Sequence, residues 1–291
     1  MRDLKKHYSL GTAQFGMSYG ISNDLGQIDI LEIKKILNNA KCVGIKSLDT
    51  AISYGTSEEK LGSIGVDGFK IYTKIPKMPR DNLDPNDWVN SMVNASLDRL
   101  GVKNLECVFF HDLNDIFNNT GNKIYTALQK LKQDGLINKV GASIYAPEEL
   151  DRLTTTYQFD VIQAPCNILD RRIIASGWLS RLKHRQVEVH FRSIFLQGLL
   201  MMNKTNRPIY FSKWNKIWSQ WDDWLTQAKI SPLMACVSYM HAIDEVDKII
   251  IGVNSSKQLH EIIEATTKGP VDVPNSLYSN DINLLHPHMW R

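Results

Sequence analysis

Short apolar runs alternate along this chain with longer stretches in which apolar residues recur at helical spacing. The short runs occupy residues 8–10, 45–48, 69–75, 105–110, 139–143, 161–164, 187–194 and 248–251. Their length and their β-branched and aromatic content predict strands. The stretches between them, at 30–40, 58–64, 86–100, 123–133, 147–153, 171–182, 213–240 and 257–265, predict helices. Asp84-Pro85 supplies an N-cap with a proline in the first turn, and Gly101 and Gly135 stand where helices should stop.

Eight strands alternating with eight helices close most economically into an α/β fold, a (β/α)8 TIM barrel, although an open doubly wound sheet uses the same units. No G-x-G-x-x-G follows the first strand and no G-x-x-x-x-G-K-[ST] occurs, so a nucleotide site of either kind lacks sequence support. No linker or low-complexity tract interrupts the series, and residues 1–291 read as one domain. Residues 270–291 form a C-terminal tail that can fold over a barrel mouth.

Composition narrows the partners. The formal charge of +3 arises from 34 basic and 31 acidic residues spread without runs, which disfavours nucleic acid. The opening residues lack a signal-peptide apolar core, and no window approaches the ~20 apolar residues of a membrane span. A soluble, cytoplasmic protein is expected, as a monomer or small homo-oligomer. Cys42, Cys107, Cys166 and Cys236 are far apart in apolar contexts and are expected to be reduced and buried. The histidines show no metal-ligand spacing, so no metal is expected.

Function in a βα barrel lives where strands end. Asp49, Lys74 and His111 close the second, third and fourth predicted strands, and Tyr54 lies in the loop after Asp49. A free tyrosine is a weak acid, with a pKa of about 10, and an adjacent ammonium stabilises its phenolate. Lys74 can be that cation, Asp49 can keep it charged and oriented, and His111 can hold a substrate oxygen against Tyr54. Such a cage polarises a carbonyl but supplies no electrons, so reduction requires a hydride donor such as a nicotinamide. The same residues also suit a class I aldolase with Lys74 as Schiff-base nucleophile, or a structural ion pair.

The strings Leu10-Gly-Thr-Ala-Gln-Phe-Gly16, Leu48-Asp-Thr-Ala-Ile-Ser-Tyr-Gly55, Tyr72-Thr-Lys74, Ser96-Leu-Asp-Arg-Leu100, Phe109-Phe-His-Asp112, Leu131-Lys-Gln-Asp-Gly135, Gly141-Ala-Ser143 and Gln197-Gly-Leu-Leu200 occur in this order. Together they make the chain resemble the aldo-keto reductase superfamily over essentially its whole length. The resemblance implies a barrel that binds NADP, with NAD as the alternative, without a glycine fingerprint, and that reduces a small carbonyl compound. It implies Tyr54 as general acid, Lys74 and Asp49 as the pair that tunes it, and His111 as the orienting group. Ser143 and Gln163 match positions that hold the nicotinamide carboxamide, and Asn167 matches an asparagine downstream of that glutamine. Thr12, the backbone around Leu196, Gly198 and Leu200, and then Gly252, Ser256, Gln258 and Glu261 match the rest of the cofactor site. Some superfamily members bind nicotinamide as partner subunits, which leaves a regulatory role open.

Two departures stand out. Where an aromatic residue often stacks on the nicotinamide, this chain has Arg192, unless the register slips to Phe191. Arg192 can stack on the ring or grip an anionic substrate or phosphate. The arginine that often meets the adenosine 2′-phosphate is missing from 253–259, where Lys257 and serines stand instead. The strings at 11–20 and 192–200 resemble a bacterial branch associated with sugar and surface-polysaccharide metabolism. Tyr19 and Phe195, with Met17 and Met78, are expected on mouth loops as substrate contacts. Trp214, Trp218, Trp221 and Trp224 keep a helical spacing expected of a packing face.

Overall fold

The computed structural model describes residues 7–23, 26–79 and 83–290. Strands β1 (Tyr8–Gly11), β2 (Ser47–Asp49), β3 (Lys70–Ile75), β4 (Cys107–Phe110), β5 (Val140–Ser143), β6 (Val161–Pro165), β7 (Glu188–Arg192) and β8 (Lys248–Gly252) run parallel and close into a barrel in chain order. The ring closes by pairing β1 with β8, with Gly11 opposite Gly252. The helices are α1 (Ala13–Gly16), α2 (Ile30–Cys42), α3 (Ser57–Ile64), α4 (Pro85–Leu100), α5 (Gly121–Gln133), α6 (Glu149–Thr156), α7 (Arg172–Ala175), α8 (Trp178–His184), α9 (Asn215–Ala228), α10 (Pro232–His241), α11 (Ser256–Ala265) and α12 (Ile282–Leu285). Every strand expected from the apolar runs is present. The barrel, not the open sheet, is the fold.

Local chemistry sets the helix ends. The Asp84 carboxylate accepts the backbone N–H groups of Asn86 and Asp87, Pro85 opens α4, and Gly101 ends it in the left-handed conformation at φ +65°. Two long helical stretches are broken. The 171–182 stretch divides into α7 and α8 at Gly177, whose φ is +73°. The 213–240 stretch divides into a 3-10 segment (Ile209–Trp214), α9 and α10. Lys229 turns left-handed at φ +54°, and Ser231-Pro232 starts a fresh helix because proline cannot accept a helical turn before it.

One apolar core fills the space between barrel and helices. A second core lies beside the barrel, where Trp218 and Trp221 of α9 pack with Phe211, Leu196, Leu200, Leu277, Leu284 and Leu285, and Trp214 and Trp224 lean on it. The tryptophan series is therefore a packing face, and it ties the C-terminal residues to the body. Three cysteines are buried, but Cys42, at the last turn of α2, is exposed, against the sequence expectation. Among the described residues no helix is long and apolar enough to cross a membrane. Arg291, the last residue of the tail, lies outside the described residues.

Candidate active site

Backbone bonds across the strand ends fix the loop that carries Tyr54. Thr12 gives both its N–H (3.0 Å) and its hydroxyl (3.1 Å) to the carbonyl of Asp49. Ile52 N–H donates to the Lys74 carbonyl at 3.1 Å, and Tyr54 N–H closes a turn onto Ala51. The loop after β1 then lies directly on this one. A methyl group at Gly16 would sit 1.7 Å from the Tyr54 carbonyl oxygen, and one at Gly55, itself at φ +54°, would sit 2.3 Å from the Gly16 carbonyl oxygen. Only glycine lets the two backbones approach this closely.

Lys74 Nζ donates to Asp49 Oδ1 at 2.6 Å and to the Thr50 carbonyl at 2.8 Å. Both side chains are buried. Gln163 Nε2 donates to the other Asp49 oxygen at 2.7 Å, so each carboxylate oxygen has a partner. Lys74 Nζ stands 5.2 Å from the centre of the Tyr54 ring and 5.9 Å from that of Phe109. His111 meets Tyr54 edge-on, with ring centres 5.9 Å apart at 81°, and its Nδ1 is hydrogen-bonded to Ser53 Oγ at 3.1 Å. The four strand-end residues thus form one contiguous group.

The electrostatics differ from expectation at Tyr54. Burial, and then the Asp49 carboxylate, push its pKa above the ordinary phenol value, against a lowering pull from Arg192. Lys74 was expected to lower it. Its ammonium stands over the face of the ring and is tied to Asp49 and Thr50, so its charge is partly offset and burial outweighs it. The phenol therefore keeps its proton. Burial, followed by the charges of Lys74, Arg192 and His288, lowers the His111 pKa to about 3, which leaves a neutral imidazole at working pH. A protonated phenol beside a neutral imidazole can hydrogen-bond and then protonate an oxygen set between them.

A cavity of about 350 Å³ opens on Asp49 and Tyr54 of this group, while Lys74 and His111 stand behind its lining. Of the residues singled out in the sequence, Thr12, Tyr19, Asp49, Tyr54, Arg192, Phe195, Gly198, Gly252, Gln258 and Glu261 line it. Phe191 is fully buried in the core, which decides the register in favour of Arg192. Met78 is buried in the core and Met17 is exposed, and neither lines the cavity. Leu196 and Leu200 send their side chains into the second apolar core. Ser256 gives its backbone N–H to the Glu32 carboxylate at 2.7 Å. Ser143 is buried opposite Gln163 in the β5–β6 register. The Asn167 amide oxygen accepts N–H groups from Leu169 and Asp170, and its nitrogen donates to the Ser193 carbonyl.

Sequence reasoning missed Gln14, Ser22, Asn23, Ser193, Gln197 and Asn254, which also line the cavity. One wall is conformationally special: Ser193, Leu196 and Gln197 have φ of +61°, +47° and +53°, followed by Gly198 at +91°. A cluster of left-handed non-glycine residues persists only where surroundings enforce it, commonly at binding sites. The Gln197-Gly198 pair in the sequence was the available signal.

A profile of the Aldo/keto reductase family matches residues 9–272. The chain belongs to this family. An uncharacterized oxidoreductase of Bacillus subtilis, YqkF, is 26% identical over 250 residues, covering 79% of this chain and 80% of the relative. The fold is shared with a putative aldo-keto reductase from Pseudomonas aeruginosa (TM-score 0.64, 21% identity, 89% of each chain covered). It is shared also with the holo form of aldo-keto reductase AKR11C1 from Bacillus halodurans (TM-score 0.72, 20% identity, 91% of this chain and 88% of the other). The protein is an oxidoreductase of the aldo/keto reductase type.

Nicotinamide dinucleotides are the general cofactor of this family, and the residues present fit such a group. Gln163 is wholly buried, its nitrogen is given to Asp49, and its Oε1 has no hydrogen-bond partner among the described residues. A buried unpaired acceptor costs about 1–3 kcal/mol and calls for an N–H donor, which a carboxamide supplies. The cavity runs on from Tyr54 and Arg192 to Gln258 and Glu261 in the first turns of α11, giving room for an extended molecule.

Proposed function

We propose that this chain reduces the carbonyl of a small aldehyde, ketone or sugar-like compound to the alcohol with NADPH or NADH. The observation that carries the reading is Tyr54, a phenol held protonated, placed edge-on to the neutral imidazole of His111 at the cavity wall. A bound dihydronicotinamide supplies the hydride. His111 donates a hydrogen bond to the carbonyl oxygen and aims it at Tyr54, which transfers its proton as the oxygen gains charge. Lys74 lowers the cost of the phenolate left behind, and Asp49 holds Lys74 in place. Gln163 and Ser143 hold the carboxamide of the cofactor, with Thr12, Gly198, Gly252, Gln258 and Glu261 along its length and Ser256 at the adenosine end. Tyr19 and Phe195 contact the substrate.

The aldolase alternative loses support because Lys74 is buried and enclosed by Asp49 and Thr50, where an amine nucleophile would have to be free. On this reading residues 1–291 work as one unit in the cytoplasm, and residues 270–291 help to shape the mouth. His286 and His288, which bond to Tyr145 after β5, support that role for the tail. A place in sugar or surface-polysaccharide metabolism is supported by the motif resemblance at 11–20 and 192–200. The test is a fluorescence titration with NADPH and with NADH, followed by turnover on a panel of aldehydes, ketones and sugars. Saturable binding and consumption of the reduced cofactor are expected. Binding with no turnover across the panel would favour a cofactor-sensing partner subunit instead.

A further inference from the structure

Arg192 is the unusual charge at this mouth. Its guanidinium carbon stands over the Tyr145 ring, 4.6 Å from the ring centre. It donates to the Ile144 carbonyl at 2.9 Å and to Ser193 Oγ at 3.3 Å, which fixes the fork while leaving other N–H groups available. Among the described residues it has no carboxylate partner, although the buried guanidinium of Arg172 is locked to Asp170 at 2.8 Å and that of Arg207 to Asp222.

The groups around it are neutral or cationic. Its charge reaches the phenols of Tyr19 and Tyr54 and the imidazoles of His111 and His286. Tyr145 is itself held from the tail, its hydroxyl bonded to His288 Nε2 at 2.8 Å. The Asp49 carboxylate, which lines the same cavity, has both oxygens taken by Lys74 and Gln163, and Glu261 lines it from α11. A half-buried guanidinium surrounded by hydrogen-bonding groups, with no counter-charge of its own, is a site for an oxyanion. It lines the cavity beside Tyr54, and its charge reaches Tyr54 and His111, so the anion is assigned to the molecule whose oxygen those two residues handle.

We propose that Arg192, presented by Tyr145 and the tail residue His288, binds an anionic group on the carbonyl substrate, so that this protein prefers acidic carbonyl compounds over neutral ones of similar size. The inference rests on the reductase reading above and adds the substrate class. Arg192 contacts the substrate; His288 is a positioning residue that acts through Tyr145. The anion can be a carboxylate or a phosphate, which share the bidentate geometry of the fork.

Matched pairs test it: succinic semialdehyde against butanal for a carboxylate, and glyceraldehyde phosphate against glyceraldehyde for a phosphate. The anionic member of at least one pair should have a kcat/KM higher by roughly tenfold or more, and added salt should shrink the ratio. Arg192→Gln should bring the ratio close to one, and Arg192→Lys, which keeps the charge but loses the planar fork, should give an intermediate ratio. His288→Ala should raise KM for the anionic member while leaving kcat nearly unchanged. Equal use of both members by the wild type would overturn this inference alone. So would an Arg192→Gln variant whose cofactor affinity falls while its substrate ratio holds, because the guanidinium would then serve the cofactor. No turnover of any member by the cofactor-bound protein would overturn the reductase reading and this inference together.

Discussion

The two ends of the barrel interior each hold a charged network, partly exposed at the N-terminal end and buried at the mouth, and they are built differently. At the N-terminal end Glu188 accepts from His190 at 2.7 Å and from Lys139, and Glu106 accepts from Lys70 (3.2 Å), Lys139 (3.1 Å) and Asn138 (3.2 Å). That set is closed: every charge meets its opposite. At the mouth Asp49, Lys74 and Gln163 are as tightly linked, but the chain of bonds ends on the unpaired Gln163 Oε1 and opens into a cavity lined by Tyr54 and by an arginine without a carboxylate. A completed network holds the fold. An incomplete one, kept at a cost in stability, marks the place where a ligand finishes the bonding.

The contrast can be broken by substitution, and the largest effect should come from Lys74→Met. It leaves Asp49 buried without its cation, which should cost about 3–5 kcal/mol. It should also lower kcat by about a hundredfold or more, since the phenolate of Tyr54 loses its support. Glu188→Gln at the other end should cost about 1–3 kcal/mol, because Glu188 is partly exposed, and leave kcat of the folded protein unchanged. Denaturant titration and steady-state kinetics on both variants check the pair. Gln163→Leu should act between these extremes, costing about 1–3 kcal/mol for the lost bond to Asp49 and weakening the nicotinamide dinucleotide about tenfold by fluorescence titration.

Acid should act on the two ends in different windows. The folded pKa of His111 is lowered from 6.5 to about 3, so the unfolded chain binds the extra proton first, and stability is lost as pH falls from about 6.5 towards 3. Burial pushes Glu188 up, but His190 and Lys139 outweigh it and lower the pKa from 4.5 to about 2, so its contribution is lost only as pH falls from about 4.5 towards 2. Unfolding free energies measured at a series of pH values should show a shallower decline above pH 4.5 in His111→Asn, and a shallower decline below it in Glu188→Gln. An unchanged slope in His111→Asn would show that the mouth imidazole is not held neutral.

Much of this was legible in the residues, for reasons that differ from place to place. The strands were readable because buried parallel strands are short apolar runs, and Asp49, Lys74 and His111 were readable because a barrel gathers strand ends whatever the loops do. The breaks inside 171–182 and 213–240 are hidden by helical periodicity that continues across Gly177 and Lys229, whose left-handed backbone ends each helix, although Ser231-Pro232 carried a start signal for α10. The placement of Arg192 against Phe191 rested on a single residue of register, and the period of two along a strand makes such a slip exchange mouth for core. The proton affinity of Tyr54 was misjudged from proximity alone. How Lys74 is bonded, not how near it stands, decides its effect. Gln14, Gln197 and Asn254 come from loops whose course no periodicity encodes.

The central claim is that a hydride passes to a carbonyl carbon while Tyr54 gives the proton. Turnover of the best aldehyde from the panel with a dihydronicotinamide cofactor deuterated at C4 measures this directly, with the alcohol analysed by mass spectrometry for the wild type and for Tyr54→Phe. The wild type should place deuterium on the carbinol carbon, and Tyr54→Phe, binding the cofactor as well as the wild type, should form the same labelled alcohol slower by about 10²–10⁴-fold. An alcohol free of deuterium, or a Tyr54→Phe rate equal to that of the wild type, would contradict the account.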